Sequence, residues 1–129
     1  MKLELFALCD GAFNYNGKLT IVGATDGYNV PDLPCCIDLN FAIKIYVEAH
    51  DRINKLLRIK IKDPEGKPLP ATVDCKIDLE QNKEDSHISL AVKMQGIPFV
   101  KIGSYTVEIL LDDDEIGNYK FFVKKAANG

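Results

Sequence analysis

Four cysteines and two histidines are the side chains best equipped for chemistry in this sequence: Cys9, Cys35, Cys36, Cys75, His50 and His87. A structural zinc site needs four soft or imidazole ligands converging as a tetrahedron, usually from two closely spaced pairs. The one close pair is Cys35-Cys36, and adjacent residues of an extended segment point to opposite faces. Neither histidine has a partner at ligand spacing. The spacing predicts thiols serving as small side chains, so no metal ligand and no cofactor is assigned.

Nucleophilic catalysis requires a base within hydrogen-bond reach of a serine or cysteine, and a third group to orient that base. Nothing in the sequence brings such a trio together. His87 falls on the outward phase of its segment and His50 in a connection, so both are expected to face solvent. No catalytic or cofactor-binding residue is assigned, and the expectation is a protein that is not an enzyme.

Two charge runs have chemical readings of their own. Asp112-Asp113-Asp114-Glu115 offers carboxylates for calcium, but an EF-hand loop spreads its ligands over about twelve residues around a central glycine. The run reads instead as a solvated hairpin tip. Arg58, Lys60 and Lys62 form a basic stripe on one strand face, with Lys124 and Lys125 near the end. A surface for single-stranded nucleic acid interleaves aromatic rings with basic residues, and this stripe has none. It reads as a solvated sheet face, where lysine also discourages edge pairing.

The elements that must position these residues are strands. Apolar residues recur at every second position in segment after segment. Phe41, Ile43, Ile45 and Val47 alternate with polar neighbours, as do Leu57, Ile59 and Ile61. The same holds for Val73, Cys75, Ile77 and Leu79, for Ile88, Leu90, Val92 and Met94, and for Tyr105, Val107, Ile109 and Leu111. No stretch of helical length carries the three-and-four spacing of an amphipathic helix. Cys75 follows the inward phase of its segment and is expected in the core.

Turn chemistry falls between these runs. Asn16-Gly17 is a strong two-residue hairpin signal. Asp63-Pro64-Glu65-Gly66 matches a type I turn, with proline's fixed φ at the second position. Gln81–Ser86 reads as a polar loop and Asp112–Asn118 as the last hairpin connection, with Gly117 free to take a positive φ. Pro31 and Pro34 bracket an extended link, and Ala49–Leu56 reads as one helical turn or a long loop.

Length and composition bound the rest. A chain of 129 residues makes one domain and buries enough surface for a core without cross-links. With 47% hydrophobic and 27% charged residues it has ordinary globular usage. A net charge of -3 and a pI near 5.3 argue against nucleic acid as a partner. The opening apolar run, Leu3 to Leu8, is interrupted by Glu4 and is too short for a secretory core or a membrane span. The expectation is a cytoplasmic protein with free thiols and no membrane contact.

Several positions on the outward phase are nonetheless apolar: Phe6, Leu8, Tyr46, Leu110 and one of Phe121 and Phe122. Such a second apolar face is covered within the fold, by a partner, or by another copy of the chain.

Two stretches carry a resemblance. One is Gly17-Lys18-Leu19-Thr20-Ile21-Val22-Gly23-Ala24, then Leu33-Pro34, then Leu57 through Pro68. The other is Gly103-Ser104-Tyr105-Thr106-Val107-Glu108-Ile109, an acidic turn, Ile116-Gly117 and Phe121-Phe122-Val123. Together they resemble a family of small stand-alone bacterial all-β domains of unknown function. The closing pattern is also similar to the last hairpin of immunoglobulin-like modules. The resemblance implies a sandwich fold and brings no functional residues with it.

The expected fold is therefore all-β: an antiparallel two-sheet sandwich, immunoglobulin-like or a related Greek key, with about eight strands. It would occupy residues 1–125, with 126–129 a short flexible tail. The expected function is a non-enzymatic protein-interaction module whose partner is an unknown protein or a second copy. The alternative is a sandwich that binds a small molecule or carbohydrate in a pocket lined by Tyr15, Tyr28, Tyr46 or Tyr119.

Overall fold

A computed structural model of the protein describes residues 1–49, 54–78 and 84–126. Residues 50–53, with His50, lie outside the described residues, as do Leu79, most of the polar stretch after it, and the last three residues. The chain begins with β1 (Lys2–Tyr15), β2 (Lys18–Thr25) and β3 (Gly27–Val30). Then come β4 (Cys35–Val47), β5 (Asn54–Lys62) and β6 (Pro68–Asp78). It ends with β7 (Ser86–Phe99), β8 (Gly103–Leu111) and β9 (Asp114–Lys125).

These strands form two sheets, one ordered β2-β1-β4-β7 and one ordered β3-β9-β8-β5-β6. The alternating faces meet between them. Phe41, Ile43, Ile45, Leu57, Ile59, Ile61 and Ile109 are fully buried there, with Tyr105, Phe99, Phe121 and Val123. Burying one such side chain stabilises the fold by about 1.5–3 kcal/mol, which is why the phase of each strand is fixed. Cys75 is half-buried against the rim of this core, and the deeply buried thiol is Cys9.

The expectation of a plain antiparallel immunoglobulin-type sandwich needs correction. There are nine strands among the described residues, and the five-stranded sheet is mixed and curls as a half-barrel. The additional strand is β3, which runs parallel to β9 with Gly27 beside Phe122 and Val30 beside Lys125. After β2 the chain crosses from one sheet to the other and enters alongside the last strand in the same direction. Gly27 permits this, since a Cβ there would lie 2.5 Å from the Phe122 carbonyl oxygen. Four residues bounded by Pro31 are too few to show an alternation.

The phase of β1 also differs from the simple reading. Leu3 pairs with Ile45, but Leu5 pairs with Lys44 and Phe6 with Ile43, so a bulge lies between Leu3 and Leu5. A one-residue bulge exchanges the faces of everything beyond it. Phe6 and Leu8 therefore turn inward, and Leu5 turns out. Phe121 is buried and Phe122 exposed, with Lys124 Nζ 5.5 Å from the Phe122 ring centroid.

The turns carry the chemistry their residues suggest, with one change. Asn16 and Gly17 take φ of 50° and 75°, the doubly positive pattern of a type I′ hairpin. Gly66 N–H donates to the Asp63 carbonyl at 2.9 Å, closing the expected turn. The last hairpin turns at Asp112 and Asp113, both at positive φ, and not at Gly117. Gly117 instead sits inside β9, where a Cβ would lie 2.6 Å from Leu3 Cδ2 of the opposite sheet.

Beyond Cys9 the β1–β2 hairpin leaves β4 and reaches across it. Asn40 Nδ2 donates to the Asp10 carbonyl, and Asn14 Nδ2 donates to the Ser89 carbonyl of β7 at 2.8 Å. Ala42 and Cys9 are buried although their positions face away from the sandwich interior.

Candidate binding cleft

Two strands lose a neighbour on the same side of the molecule. β2 pairs with β1 only from Leu8 onward, so among the described residues those before Leu8 have β4 as their one strand partner. β3 pairs with β9 only from Phe122 onward, so the stretch before it is paired with β8 alone. Between these two open flanks lies a cleft of about 580 Å³. Phe6 and Leu8 line it from β1, Thr25 and Asp26 from the crossing between sheets, and Tyr119 and Lys120 from β9.

The main chain of β9 is oriented for pairing along this cleft. Phe122 N–H donates to the Asp26 carbonyl at 3.0 Å and Ala126 N–H to the Val30 carbonyl at 2.7 Å. In an antiparallel strand both main-chain groups of a residue point to one side, and successive residues alternate. The N–H and C=O of Lys120 and Asn118 therefore also point away from β8, toward the open flank. Unpaired main-chain groups on a strand edge are a template for another strand.

Aromatic rings form the cleft wall. Phe6 stacks on Tyr119 with centroids 4.4 Å apart and planes inclined by 17°, and its other neighbour is Phe41 at 5.4 Å. Tyr28 lies near this region, edge-on to Phe121 at 6.3 Å. Its hydroxyl is buried without a hydrogen-bonding partner among the described residues. Burial above all, then the nearby Asp10 and Cys9, push that phenol up to about 12, so it stays neutral.

The four tyrosines singled out in the sequence do not converge. Tyr119 lines the cleft, while Tyr15 stands on the hairpin tip with 72% of its surface exposed. Tyr46 donates its hydroxyl to Asp85, which raises the phenol to about 12 and lowers the carboxylate. Phe6 was missed as a cleft residue because the bulge before it reverses its phase; no local signal in the sequence marks that bulge.

The remaining candidates are dispersed. Cys9 Sγ lies 3.5 Å from the Asn40 carbonyl oxygen, and burial raises its thiol, which keeps it protonated. Cys35 and Cys36 alternate between half-buried and exposed. His87 Nε2 meets Glu4 Oε2 at 2.7 Å on the exposed side of the four-stranded sheet, beside the Tyr46 ring. Among the described residues, no three of His, Cys, Asp and Glu are grouped so as to hold a metal ion. In the acidic turn, Asp112 accepts from Leu56 N–H and Asp113 lies 3.8 Å from Arg58. Two residues of the basic stripe are paired with acids: Arg58 with Asp74 at 2.7 Å and Lys62 with Glu108 at 2.7 Å.

These features define an all-β protein of two face-packed sheets with an open flank. The chain belongs to a family of unknown function, DUF6941, whose model matches residues 4–124. No curated protein matches the sequence. Its fold is similar to part of a solved structure of the Pseudomonas fluorescens alkylpurine DNA glycosylase AlkC, bound to DNA containing an abasic-site analogue. That likeness has a TM-score of 0.59 at 10% identity and covers 95% of this chain and 30% of the glycosylase. It is a likeness of fold alone.

Proposed function

We propose that this chain is a non-enzymatic protein-interaction module that accepts an extended segment of a partner protein in the cleft between β1 and β9. The observation carrying this reading is the open edge of β9, where Lys120 and Asn118 direct main-chain groups toward an aromatic-walled cleft. Added strands gain affinity from main-chain hydrogen bonds and specificity from pockets for alternate side chains. Leu8, Phe6 and Tyr119 supply apolar contacts, and Asp26 and Lys120 place opposite charges at the rim. The fold reading that goes with this is a Greek-key relative of immunoglobulin modules. Tyr105 Oη donates to the Lys101 carbonyl at 2.6 Å, the arrangement of a tyrosine corner. The four free cysteines support a cytoplasmic location.

The likeness to a DNA glycosylase does not favour nucleic acid as the partner, since Arg58 and Lys62 are neutralised by Asp74 and Glu108. A small ligand remains the second reading, because the cleft volume lies in the range of ligand pockets and has a stacked aromatic wall.

The test is selection of extended peptides from a displayed random library on the purified protein, followed by calorimetry. A selected peptide should bind the wild type and fail on Lys120→Pro, which removes one outward N–H while sparing the β8 ladder. Binding that survives Lys120→Pro but is lost in Tyr119→Ala supports the small-ligand type of contact. Binding untouched by both variants overturns the cleft as the site.

A further inference from the structure

The four-stranded sheet ends in an edge that the other edges of the molecule make conspicuous by contrast. β6 begins with Pro68 and Pro70, which cannot donate to a ladder. β7 carries Gly96 at positive φ and Pro98, and β3 has only four residues. β2 has Lys18 at its start and Gly23 at positive φ near its end, but Leu19 to Val22 between them is free of charge, proline and glycine, and Val22 is 53% exposed. An uncharged edge of this kind invites another strand.

The direction of its main-chain groups follows from the hairpin. Tyr15 and Lys18 flank the two-residue type I′ turn and form its closing pair. By alternation, Lys18, Thr20 and Val22 direct their groups to β1, and Leu19 and Ile21 direct theirs outward.

We infer that the β2 edge pairs antiparallel with β2 of a second copy about a two-fold axis at Ile21. A two-fold contact requires a self-complementary surface, and this register provides one. Ile21 meets Ile21 of the partner as a hydrogen-bonded pair. Thr20 then faces the partner's Val22 on either side of that pair, and Gly23, at φ 66°, ends the regular ladder. No like charges fall opposite one another. The contact would join two four-stranded sheets into one of eight, and it leaves the β1–β9 cleft open in each copy.

The experiment is sedimentation equilibrium of the purified full chain over a concentration series, with circular dichroism to verify folding. Wild type should sediment as a concentration-dependent dimer. Thr20→Lys with Val22→Lys places like charges opposite one another twice, in the closely spaced non-hydrogen-bonded pairs, and should give a monomer at all concentrations. Thr20→Lys with Val22→Glu places opposite charges there and should restore the dimer. Both positions are exposed, so the monomer should keep its fold. A wild-type monomer at the highest concentration overturns the inference, and so does a dimer that tolerates the double lysine variant.

Discussion

Phe6 of β1 and Tyr119 of β9 stack face to face at 4.4 Å, joining the two sheets on the flank where no ladder does. Ring pairs of this kind contribute about 0.5–1.5 kcal/mol beyond the area they bury. A double-mutant cycle of Phe6→Leu and Tyr119→Leu, read by urea unfolding, should show coupling of about that size. Additive single effects would mean that the rings share the cleft wall without supporting one another.

Gly117 and Leu3 occupy one space between the sheets. Gly117→Ala should destabilise the fold by about 1–3 kcal/mol through overpacking against Leu3 Cδ2. Leu3→Ala opens that space, so the double variant should lose less stability than the two single losses added. Chemical denaturation of the four proteins measures this directly.

The two type I′ turns should respond with opposite signs. Gly17→Ala forces a Cβ into a left-handed conformation at φ 75°, at a cost of about 1–2 kcal/mol. Asp113→Gly relieves the same strain at φ 69° and creates the Asp-Gly pair that this turn favours, stabilising by about 0.5–1 kcal/mol. Thermal melts should therefore shift down for the first and up for the second.

Asp63 makes stability depend on acid. Its carboxylate accepts from the Lys67 and Glu65 N–H groups, each at 2.9 Å, and Lys101 lies 3.6 Å away. These contacts, the Lys67 bond foremost, hold the carboxyl below its usual range. A lowered folded value means that the stabilisation is present above the unfolded value, near pH 4, and lost as pH falls through the folded one. Asp63→Asn should flatten the fall in stability below about pH 4 while changing little of its slope at neutral pH.

Strands with one buried face were legible because the core imposes a period of two. Phe41 to Val47, Leu57 to Ile61 and Tyr105 to Leu111 all face inward as their alternation predicts. Asn16-Gly17 and Asp63-Pro64 were legible because their turns demand those residue types. What escaped depends on partners distant in sequence. The bulge before Phe6 exists only in register with β4, and Gly27 looks like any loop glycine until Phe122 lies against it. The cleft is made of absences, a strand that starts late and another that ends early, and no single segment encodes it.

The parallel pairing of β3 with β9 also bears on the order of events during synthesis. Residues 27–30 leave the ribosome long before residues 122–125, which complete their ladder. At ordinary translation rates the delay is about 5–20 s. Through that interval the early hairpin and β3 exist without the last strand, and the half-barrel cannot close before the final residues of β9 emerge. The folding of the nascent chain is thus tied to the emergence of β9, and a chain stalled before β9 would present an unfinished sheet to the quality-control machinery of the cell.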